Sequence, residues 1–338
     1  MNLGDFSMDT ITLPGSLESK LDAAAAAGFT QITLWAKDLA GHPDGYEAAL
    51  NEVRLSGLRV NGIQVMRDYE GLSGPLHHYK VDTVKTMLKL CEAVAAERLL
   101  ICSSTSAHAS GDIDHIASDL RKVAMLATPL GIRVGYEALS WGRHVSDFEL
   151  SWEIVQRADR ANLGVCIDSF HVLANCGLNG TDFDALATIP GERIAFVQLS
   201  DFLWKAVRTP EERIETARHL RVFPGEGVHS AELSRMIRMI DRSGYRGDWS
   251  FEVFNDDYLR TVLQPSAKSV ARQCDFIEKV LGLAPGSNIL DVGSGLGLYS
   301  NELARRGYHV VGIDSSKAMI SRASEDAKDY GVDVRYVT

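Results

Sequence analysis

Val134-Gly135-Tyr136-Glu137 is one of four short apolar runs that each end in a residue able to bind a hard metal ion. The other three runs are Gly164-Val165-Cys166-Ile167-Asp168, Ala195-Phe196-Val197-Gln198 and Trp249-Ser250-Phe251-Glu252. The first three end points are 31 and 30 residues apart, about the length of one strand and one helix. A (β/α)₈ barrel builds its active site at the C-terminal ends of consecutive parallel strands. The four runs therefore predict a parallel β/α fold with a polar site at one end of its sheet.

Apolar, β-branched runs alternate with longer helical patterns over the first 281 residues. Such alternation indicates parallel strands that are joined by helices. Eight units favour a closed (β/α)₈ (TIM) barrel over a doubly wound sheet, which stays an alternative. The predicted strands are Thr10–Leu13, Gln31–Trp35, Arg59–Val65, Arg98–Cys102, Arg133–Glu137, Gly164–Asp168, Ile194–Gln198 and Trp249–Val253.

The composition is that of a globular protein and argues against several classes of function. The chain has 338 residues, of which 45% are hydrophobic and 24% charged, and a formal net charge of −10. A nucleic-acid surface usually needs a basic patch, and no apolar run approaches the ~20 residues of a transmembrane helix. The five cysteines are widely spaced, which is typical of reduced thiols in the cytoplasm. We therefore expect a cytoplasmic protein with a small-molecule substrate, no nucleic-acid or membrane partner, and an undetermined oligomeric state.

The four strand-end residues are the predicted metal ligands: Glu137, Asp168, Gln198 and Glu252. A single carboxylate at a strand end is usually a surface or capping residue, so the prediction depends on all four occurring together. Three carboxylates at one barrel rim would repel each other unless a divalent cation lay between them. Ligation by oxygen alone favours Mg²⁺ or Mn²⁺ over Zn²⁺, and Co²⁺ is a further candidate.

Six longer motifs surround these ligands. They are Arg67-Asp68-Tyr69-Glu70-Gly71, Glu137-Ala138-Leu139-Ser140-Trp141-Gly142-Arg143-His144, Asp168-Ser169-Phe170-His171, Val197-Gln198-Leu199-Ser200-Asp201, Arg221-Val222-Phe223-Pro224-Gly225-Glu226-Gly227 and Glu252-Val253-Phe254-Asn255-Asp256. Over residues 9–281 the chain resembles the bacterial 3-dehydroshikimate dehydratases, which belong to the xylose isomerase-like barrels of sugar phosphate isomerases and epimerases. The resemblance implies a (β/α)₈ barrel and the same four metal ligands.

Two loops depart from the pattern of those dehydratases. The stretch Thr33-Leu34-Trp35-Ala36-Lys37-Asp38 lacks the acidic residues typical of their second-strand region, and Phe202-Leu203-Trp204-Lys205 also differs. Both loops lie where substrate contacts are expected, whereas the metal ligands are unaffected. A sugar or sugar phosphate isomerase or epimerase therefore remains the alternative function.

The expected chemistry begins with a metal ion that polarises a ketone and acidifies the neighbouring C–H bond. A base then removes the proton. Loss of a β-hydroxyl would convert 3-dehydroshikimate into protocatechuate, whereas return of the proton elsewhere would isomerise or epimerise a sugar. His171 is the first candidate for the base and His144 the second, because histidine titrates near neutral pH. The simpler alternative for His171 is a helix-start residue that is bonded to backbone.

A substrate that carries a carboxylate needs cationic partners. Arg67, Arg143 and Arg221 lie in the matched motifs and can bind a carboxylate with two hydrogen bonds, although each could equally form a surface salt bridge. His108 follows the fourth predicted strand and is a further candidate for substrate binding. Lys205 and His229 are weaker candidates, and the rings of Trp141 and Trp204 are expected to wall the pocket.

The pattern changes after Leu281, and we predict three parts: a barrel at 1–281, a linker at 282–287 and a partial Rossmann-like βαβ segment at 288–338. The segment has a strand at Asn288–Val292, a helix at Leu298–Arg306 and a strand at His309–Ile313, and a third strand is expected in Val332–Val337. Between the first strand and the helix lies a glycine loop, and an acid follows the second strand. These candidate cofactor-binding residues are Gly293, Gly295, Gly297 and Asp314.

The glycine loop and the acid resemble the opening of class I S-adenosylmethionine-dependent methyltransferases, in which the acid binds the cofactor ribose. The resemblance covers only the final 57 residues, and half of such a sheet buries little apolar surface. We therefore expect a truncated fusion segment without methyltransferase activity and with residual S-adenosylmethionine binding at most.

Overall fold

The computed structural model describes residues 3–176, 183–256 and 267–338. The chain divides into two compact units, Met1–Asp256 and Asp257–Thr338. The first unit ends at Asp256, whereas the sequence suggests that the barrel ends at residue 281. The predicted domain boundaries therefore stay a prediction. Within the described residues, no helix is long and apolar enough to cross a membrane.

The first unit is a closed barrel of eight parallel strands, which confirms the predicted fold class and excludes the doubly wound sheet. The barrel strands are β1 (Phe6–Asp9), β2 (Gln31–Trp35), β3 (Arg59–Met66), β4 (Arg98–Cys102), β5 (Arg133–Glu137), β6 (Leu163–Asp168), β7 (Ile194–Leu199) and β10 (Trp249–Phe251). They follow the order β1-β10-β7-β6-β5-β4-β3-β2 around the barrel. A short antiparallel pair, β8 (Asp201–Phe202) and β9 (Arg221–Val222), lies in the connection between β7 and β10.

Helices connect the barrel strands, and several begin at side-chain caps. Ser16, Asp112 and Asp147 each accept a hydrogen bond from a backbone N–H of the helix that follows, and Thr209 forms a capping box with Glu212. The helices are α1 (Leu17–Ala26), α2 (Ala36–Ala40), α3 (Tyr46–Ser56), α4 (Gly74–Ala93), α5 (Ile113–Ala127), α6 (Phe148–Ala158), α7 (Ser169–Cys176), α8 (Pro210–His219) and α9 (Ser230–Arg242), with 3₁₀ turns at Leu3–Asp5, Thr10–Thr12, Thr128–Leu130, Asp184–Thr188 and Gly191–Arg193.

The first predicted strand, Thr10–Leu13, is wrong. The strand is Phe6–Asp9, which pairs with β10 and β2, and Thr10–Thr12 is a 3₁₀ turn. The Thr12 hydroxyl donates a hydrogen bond to the Asp9 carbonyl over 2.8 Å, and such a local bond competes with a continuing strand. The strand was missed because Ser7 and Asp9 are polar yet fully buried. The correction places Asp9 at the end of a barrel strand.

Phe196 on β7 fills the middle of the barrel. A Cβ atom at Gly62 on β3 or at Gly135 on β5 would lie 2.7 and 2.5 Å from its ring. In the closed barrel, β3 and β7 lie opposite each other. A ring on β7 that approaches Gly62 on β3 must therefore point into the barrel. A barrel interior is filled by layers of side chains from alternate strands, and here one large ring and two glycines form such a layer.

The second unit contains a three-stranded parallel sheet in the order β11-β12-β13. Its elements are α10 (Ala267–Leu281), β11 (Asn288–Val292), α11 (Leu298–Arg305), β12 (His309–Ile313), α12 (Lys317–Asp329) and β13 (Val334–Val337). Its small core contains Val270, Cys274, Leu303 and Val310. The elements after residue 287 agree closely with the predicted ones.

Candidate active site

Glu137, Asp168 and His171 come together at the C-terminal ends of β5 and β6. Each offers one ligand atom, and these atoms all lie within 4.8 Å of one another. His171 Nε2 is 3.5 Å from both Glu137 Oε1 and Asp168 Oδ2. All three side chains are buried. The group is therefore able to hold a divalent metal ion.

Glu252 joins this group through Arg221. The Arg221 Nη1 atom is 2.8 Å from Asp168 Oδ2 and 3.2 Å from Glu252 Oε2. Its Nε atom donates to the Ala217 carbonyl over 2.8 Å, and only 2% of the residue is exposed. From the sequence, Arg221 was expected either to bind substrate or to form a surface salt bridge. In the structure it is buried and is the ion-pair partner of two proposed metal ligands.

Gln198 is fully buried, and its two amide atoms have different partners. The Oε1 atom accepts a hydrogen bond from Cys166 Sγ over 3.0 Å. The Nε2 atom donates to Asp9 Oδ2 over 3.0 Å and approaches Gln64 Oε1 at 3.4 Å. The amide thus lies between β6, on its carbonyl side, and β1, on its NH₂ side.

The carboxylates strongly perturb one another. Burial, reinforced by the charge of Asp168, raises the pKa of Glu137 to about 7, and it raises the pKa of Glu252 well above its ordinary value. Burial alone would also raise the pKa of Asp168, but Arg221 and His171 hold it below its ordinary value. The three ionised carboxylates with one guanidinium leave a charge of −2, and the buried Asp9 beside them adds to this negative charge when it is ionised. The donor set therefore fits a divalent cation.

His171 is neutral at physiological pH. Burial lowers its pKa from 6.5 to about 3, although the charge of Asp168 acts in the opposite direction. Its Nδ1 accepts a hydrogen bond from the Ser140 backbone N–H over 3.0 Å and lies 3.1 Å from Ser140 Oγ. The ring packs edge-on against Trp141, with 5.0 Å between centroids. His171 does bond to backbone, as the simpler alternative supposed, but to that of the β5 loop.

A cavity of ≈ 310 Å³ opens onto this cluster. Glu137, Glu252 and His171 form part of its wall, and Cys102 and Gln64 lie beside them. The apolar part of the wall contains Ile11, Val65, Leu139, Ala217, Trp35, Trp141 and Phe254. The cationic part contains Arg67, Arg218 and Arg221. Arg67 and Trp141 thus lie where the sequence analysis expected, whereas Arg218 and Trp35 were not identified.

Five of the predicted barrel-site residues do not line the cavity: the buried Asp168 and Gln198, and also His144, Arg143 and His108. His144 Nε2 lies 2.9 Å from the Ala109 carbonyl, Arg143 is exposed, and His108 is exposed in the loop after β4. Of the weaker candidates, Lys205 Nζ donates to the Val228 carbonyl, and His229 Nδ1 lies 2.9 Å from Asp201 Oδ1. Trp204 is exposed and lies outside the cavity wall.

Sequence reasoning also missed the residues that support the carboxylates. Cys102 Sγ donates to Glu137 Oε2 over 2.7 Å, and burial raises the pKa of this thiol well above its ordinary value. Cys102 and Cys166 are the register partners of Glu137 on the two neighbouring strands. Register partners on parallel strands point to the same side of the sheet. Aligning the predicted strands could therefore have identified both cysteines as neighbours of Glu137. All five cysteines are free thiols, as expected.

In the second unit the glycine loop and the acid meet. Gly293, Gly295 and Gly297 have φ values of 77°, 52° and 70°, in the left-handed region that favours glycine. The Gly295 N–H donates to Asp314 Oδ2 over 2.8 Å. The glycine loop and the acid are thus joined through Gly295, and the role of all four residues in cofactor binding stays a prediction.

Comparisons with known proteins agree with this geometry. The family model described as the xylose isomerase-like TIM barrel matches residues 21–280, and a methyltransferase domain model matches residues 289–338. The chain is 36% identical to a 3-dehydroshikimate dehydratase of Pseudomonas aeruginosa over 274 residues, which are 81% of this chain and 42% of the relative. The chain therefore spans less than half the length of that relative.

Solved structures show the same barrel. A fusion protein of a xylose isomerase-like TIM barrel and 4-hydroxyphenylpyruvate dioxygenase superposes with a TM-score of 0.68 at 31% identity, covering 83% of this chain and 45% of that chain. The IolI protein, whose structure holds a zinc atom, superposes with a TM-score of 0.63 at 18% identity, covering 81% of this chain and 98% of that one. The closed barrel and the family match over most of its length lead to one conclusion: the chain belongs to the xylose isomerase-like TIM-barrel family.

Proposed function

We propose that the barrel is a divalent-metal-dependent hydro-lyase that dehydrates 3-dehydroshikimate to protocatechuate. The dehydratase relative supports this function, as does the cluster of Glu137, Asp168 and His171, in which the two carboxylates are the proposed metal ligands and His171 is the proposed base. The observation that carries the proposal is the pair of arginines, Arg67 and Arg218, in the wall of the same cavity. Their charge favours an acidic substrate over a neutral sugar, whereas a sugar phosphate, which belongs to the alternative function, would also be anionic.

The charges of the site leave these two arginines available. Arg221 and a divalent ion together balance the carboxylates of Glu137, Asp168 and Glu252. Within the described residues, the guanidinium groups of Arg67 and Arg218 have neither a hydrogen bond nor an ion pair with another side chain. The charge of Arg67 does act on the Glu137 carboxylate. Both arginines are exposed, however, and their guanidinium donors could bind a substrate carboxylate through two parallel hydrogen bonds.

The rest of the wall suits a ring with apolar faces. Trp35, Trp141 and Phe254 supply aromatic surface, whereas Gln64 is the one neutral amide in the described wall. These aromatic side chains would contact the apolar faces of a ring, while the charged part of the wall would meet its polar groups. The cavity therefore favours the cyclic keto acid over a neutral keto sugar.

A divalent ion held by Glu137, Asp168, Gln198 and Glu252 would polarise the substrate ketone and acidify the adjacent C–H bond. His171 takes the proton, because burial keeps its ring neutral and it lines the cavity. Nδ1 accepts a hydrogen bond from the Ser140 N–H, so the neutral ring carries its proton on Nε2. To act as base, His171 must take up the other tautomer, in which Nδ1 donates its proton to Ser140 Oγ and Nε2 is free. We do not assign this step to His144, whose ring is bonded to Ala109. Loss of the β-hydroxyl followed by tautomerisation then gives the aromatic acid.

The direct test uses protein that has been stripped of metal with a chelator. After addition of Mg²⁺, Mn²⁺ or Co²⁺, the absorbance of an aromatic product should rise when 3-dehydroshikimate is supplied. If no ion restores turnover, the dehydratase proposal is excluded. Keto sugars should then be screened for proton exchange in deuterated water, which would detect the isomerase or epimerase alternative.

The role of the arginines has its own test. Arg218→Gln and Arg67→Gln should each raise KM about 10–100-fold with a smaller change in kcat, because they remove a charged hydrogen-bond partner worth ~1.5–3 kcal/mol. Arg54→Gln on α3 is a matched control, since this exposed arginine lies outside the cavity wall. Unchanged KM values in both cavity variants would contradict the proposed substrate class.

For the second unit we propose residual S-adenosylmethionine binding at most, and no methyl transfer. The methyltransferase match covers only residues 289–338. One face of the described sheet leaves Leu290 and Val292 exposed, at 59% and 75%. Titration calorimetry with S-adenosylmethionine should show no binding at micromolar concentration, and a clear micromolar isotherm would contradict this proposal.

A further inference from the structure

Asp9 is a buried carboxylate next to the proposed metal site that the mechanism does not use. It lies at the end of β1 and is 0% exposed. Its side chain accepts a hydrogen bond from Ser250 Oγ and another from Gln198 Nε2, the latter over 3.0 Å. Burying a carboxylate is costly unless its hydrogen bonds are satisfied, so its presence here calls for a reason.

The two ends of the Gln198 side chain differ in what they can bind. The carbonyl oxygen can bind a cation, whereas the NH₂ group is a pure donor and would repel one. The two ends have nearly the same shape, so packing alone does not distinguish them. An ionised carboxylate only accepts hydrogen bonds, and Asp9 can therefore bond to the NH₂ end alone.

The neighbouring strands set the direction of the amide. Gln198 Oε1 faces Cys166 on β6, and Cys166 is the register partner of Glu137. Asp168 ends the same strand. The carbonyl oxygen is thus turned towards β6 and β5, which carry Asp168 and Glu137. The NH₂ group is turned towards β1, on the side of β7 where β10 precedes Glu252.

We infer that Asp9 is a positioning residue that holds the carbonyl oxygen of Gln198 towards the metal site. The inference depends on the proposed metal site, since it concerns the orientation of one of its ligands. An aspartate fixes this orientation, whereas an asparagine of the same size would accept from one amide orientation and donate to the other. Residues that orient metal ligands typically affect metal affinity 10–100-fold when they are changed.

The test measures Mn²⁺ binding to metal-stripped full-length protein by calorimetry, independently of turnover. Asp9→Asn should weaken Mn²⁺ binding by about 10–100-fold. In a Gln198→Glu background both ends of the ligand are oxygens, and Asp9 would instead repel the new carboxylate. The same Asp9→Asn change should therefore strengthen Mn²⁺ binding in that background.

Ser250→Ala is the matched control. It removes the other hydrogen bond to Asp9 but leaves the bond to Gln198 in place. This variant should lower the free energy of unfolding and leave Mn²⁺ affinity unchanged. If Asp9 is a positioning residue, Asp9→Asn should lower Mn²⁺ affinity in the wild-type background and raise it in the Gln198→Glu background. A general loss of stability would not produce this reversal.

Each outcome bears on the inference. Mn²⁺ affinity that Asp9→Asn leaves unchanged, or lowers equally in both backgrounds, would overturn the role of Asp9 while the proposed function stands. Wild-type protein that binds no Mn²⁺ would overturn both. Protein that binds Mn²⁺ with the predicted pattern but forms no aromatic product would support the role of Asp9 and contradict the dehydratase proposal.

Discussion

Glu70 shows how a single buried acid near the site couples stability to pH. Its Oε1 accepts hydrogen bonds from the Ser104 N–H over 2.5 Å and from the Tyr136 hydroxyl over 3.1 Å. Its Oε2 is buried and has no partner within the described residues. Burial raises the pKa of Glu70 to about 7, despite the opposing effect of these two bonds. The native state therefore binds this proton more tightly than the unfolded chain does.

The sign of the pH dependence follows directly. A raised native pKa gives stability that is fully present below the unfolded value and is lost as the pH rises through about 7. Glu70→Gln is neutral throughout, so its free energy of unfolding should fall less between pH 5 and pH 8 than that of the wild type, by up to about 3 kcal/mol. Urea titrations with chelator present would measure this. Glu215→Gln on α8, an exposed acid, should behave as wild type, and equal slopes in all three proteins would refute the effect.

At the scale of the elements, the short pair β8–β9 decides the electrostatics of the site. It carries Arg221 beneath the ends of β6 and β10, where the guanidinium pairs with Asp168 and Glu252. The barrel strands on their own would bring three carboxylates together with no compensating charge. A connection between barrel strands, rather than a barrel strand, thus supplies the cation that forms ion pairs with Asp168 and Glu252.

The barrel interior gives a prediction for β5. An alanine at position 135 would place its Cβ 2.5 Å from Phe196 Cδ2, although alanine is otherwise more acceptable than glycine in a strand. Gly135→Ala should therefore lower the free energy of unfolding by about 1–3 kcal/mol, as overpacked cores do. Phe196→Leu in the same chain should recover part of this loss, because the smaller side chain makes room. Simple additivity of the two changes in urea denaturation would contradict the packing explanation.

At the scale of the whole molecule, the site should make barrel stability depend on metal. A ligand that binds only the native state stabilises it by about 2.7 kcal/mol at a concentration of 100 times its Kd. Removal of metal should therefore lower the urea midpoint of the barrel, because Glu137, Asp168 and Glu252 then lack part of their compensating charge. Tryptophan fluorescence isolates this transition, since all five tryptophans lie in Met1–Asp256.

The matched variants for this experiment are Glu137→Gln and Glu215→Gln. Glu137→Gln removes a proposed metal-binding carboxylate, so Mn²⁺ should raise the urea midpoint of this variant much less than that of the wild type. Glu215→Gln should show the same increase in midpoint as the wild type. A wild-type midpoint that is the same with chelator and with Mn²⁺ would argue against a metal site in the barrel.

The sequence by itself determined the repeating strands and the residues that end them. Strands β2, β4 and β5 begin and end where the patterns predicted, and Glu137 and Asp168 close their strands as expected. Apolar β-branched runs and glycine loops are local signals, so they can be read from a few neighbouring residues. The one strand that was misplaced, β1, lacks a clear apolar pattern because two of its four residues, Ser7 and Asp9, are polar and fully buried.

Only the tertiary structure decided which side chains meet. Asp9 lies 189 positions before Gln198, Arg221 lies 53 positions after Asp168, and neither pairing has a local signature. His144 lies in the same matched motif as Glu137 but bonds to Ala109 instead of lining the cavity. Barrel closure and the paths of the loops fix these contacts, and both depend on packing over the entire first unit rather than on the residues adjacent in the chain.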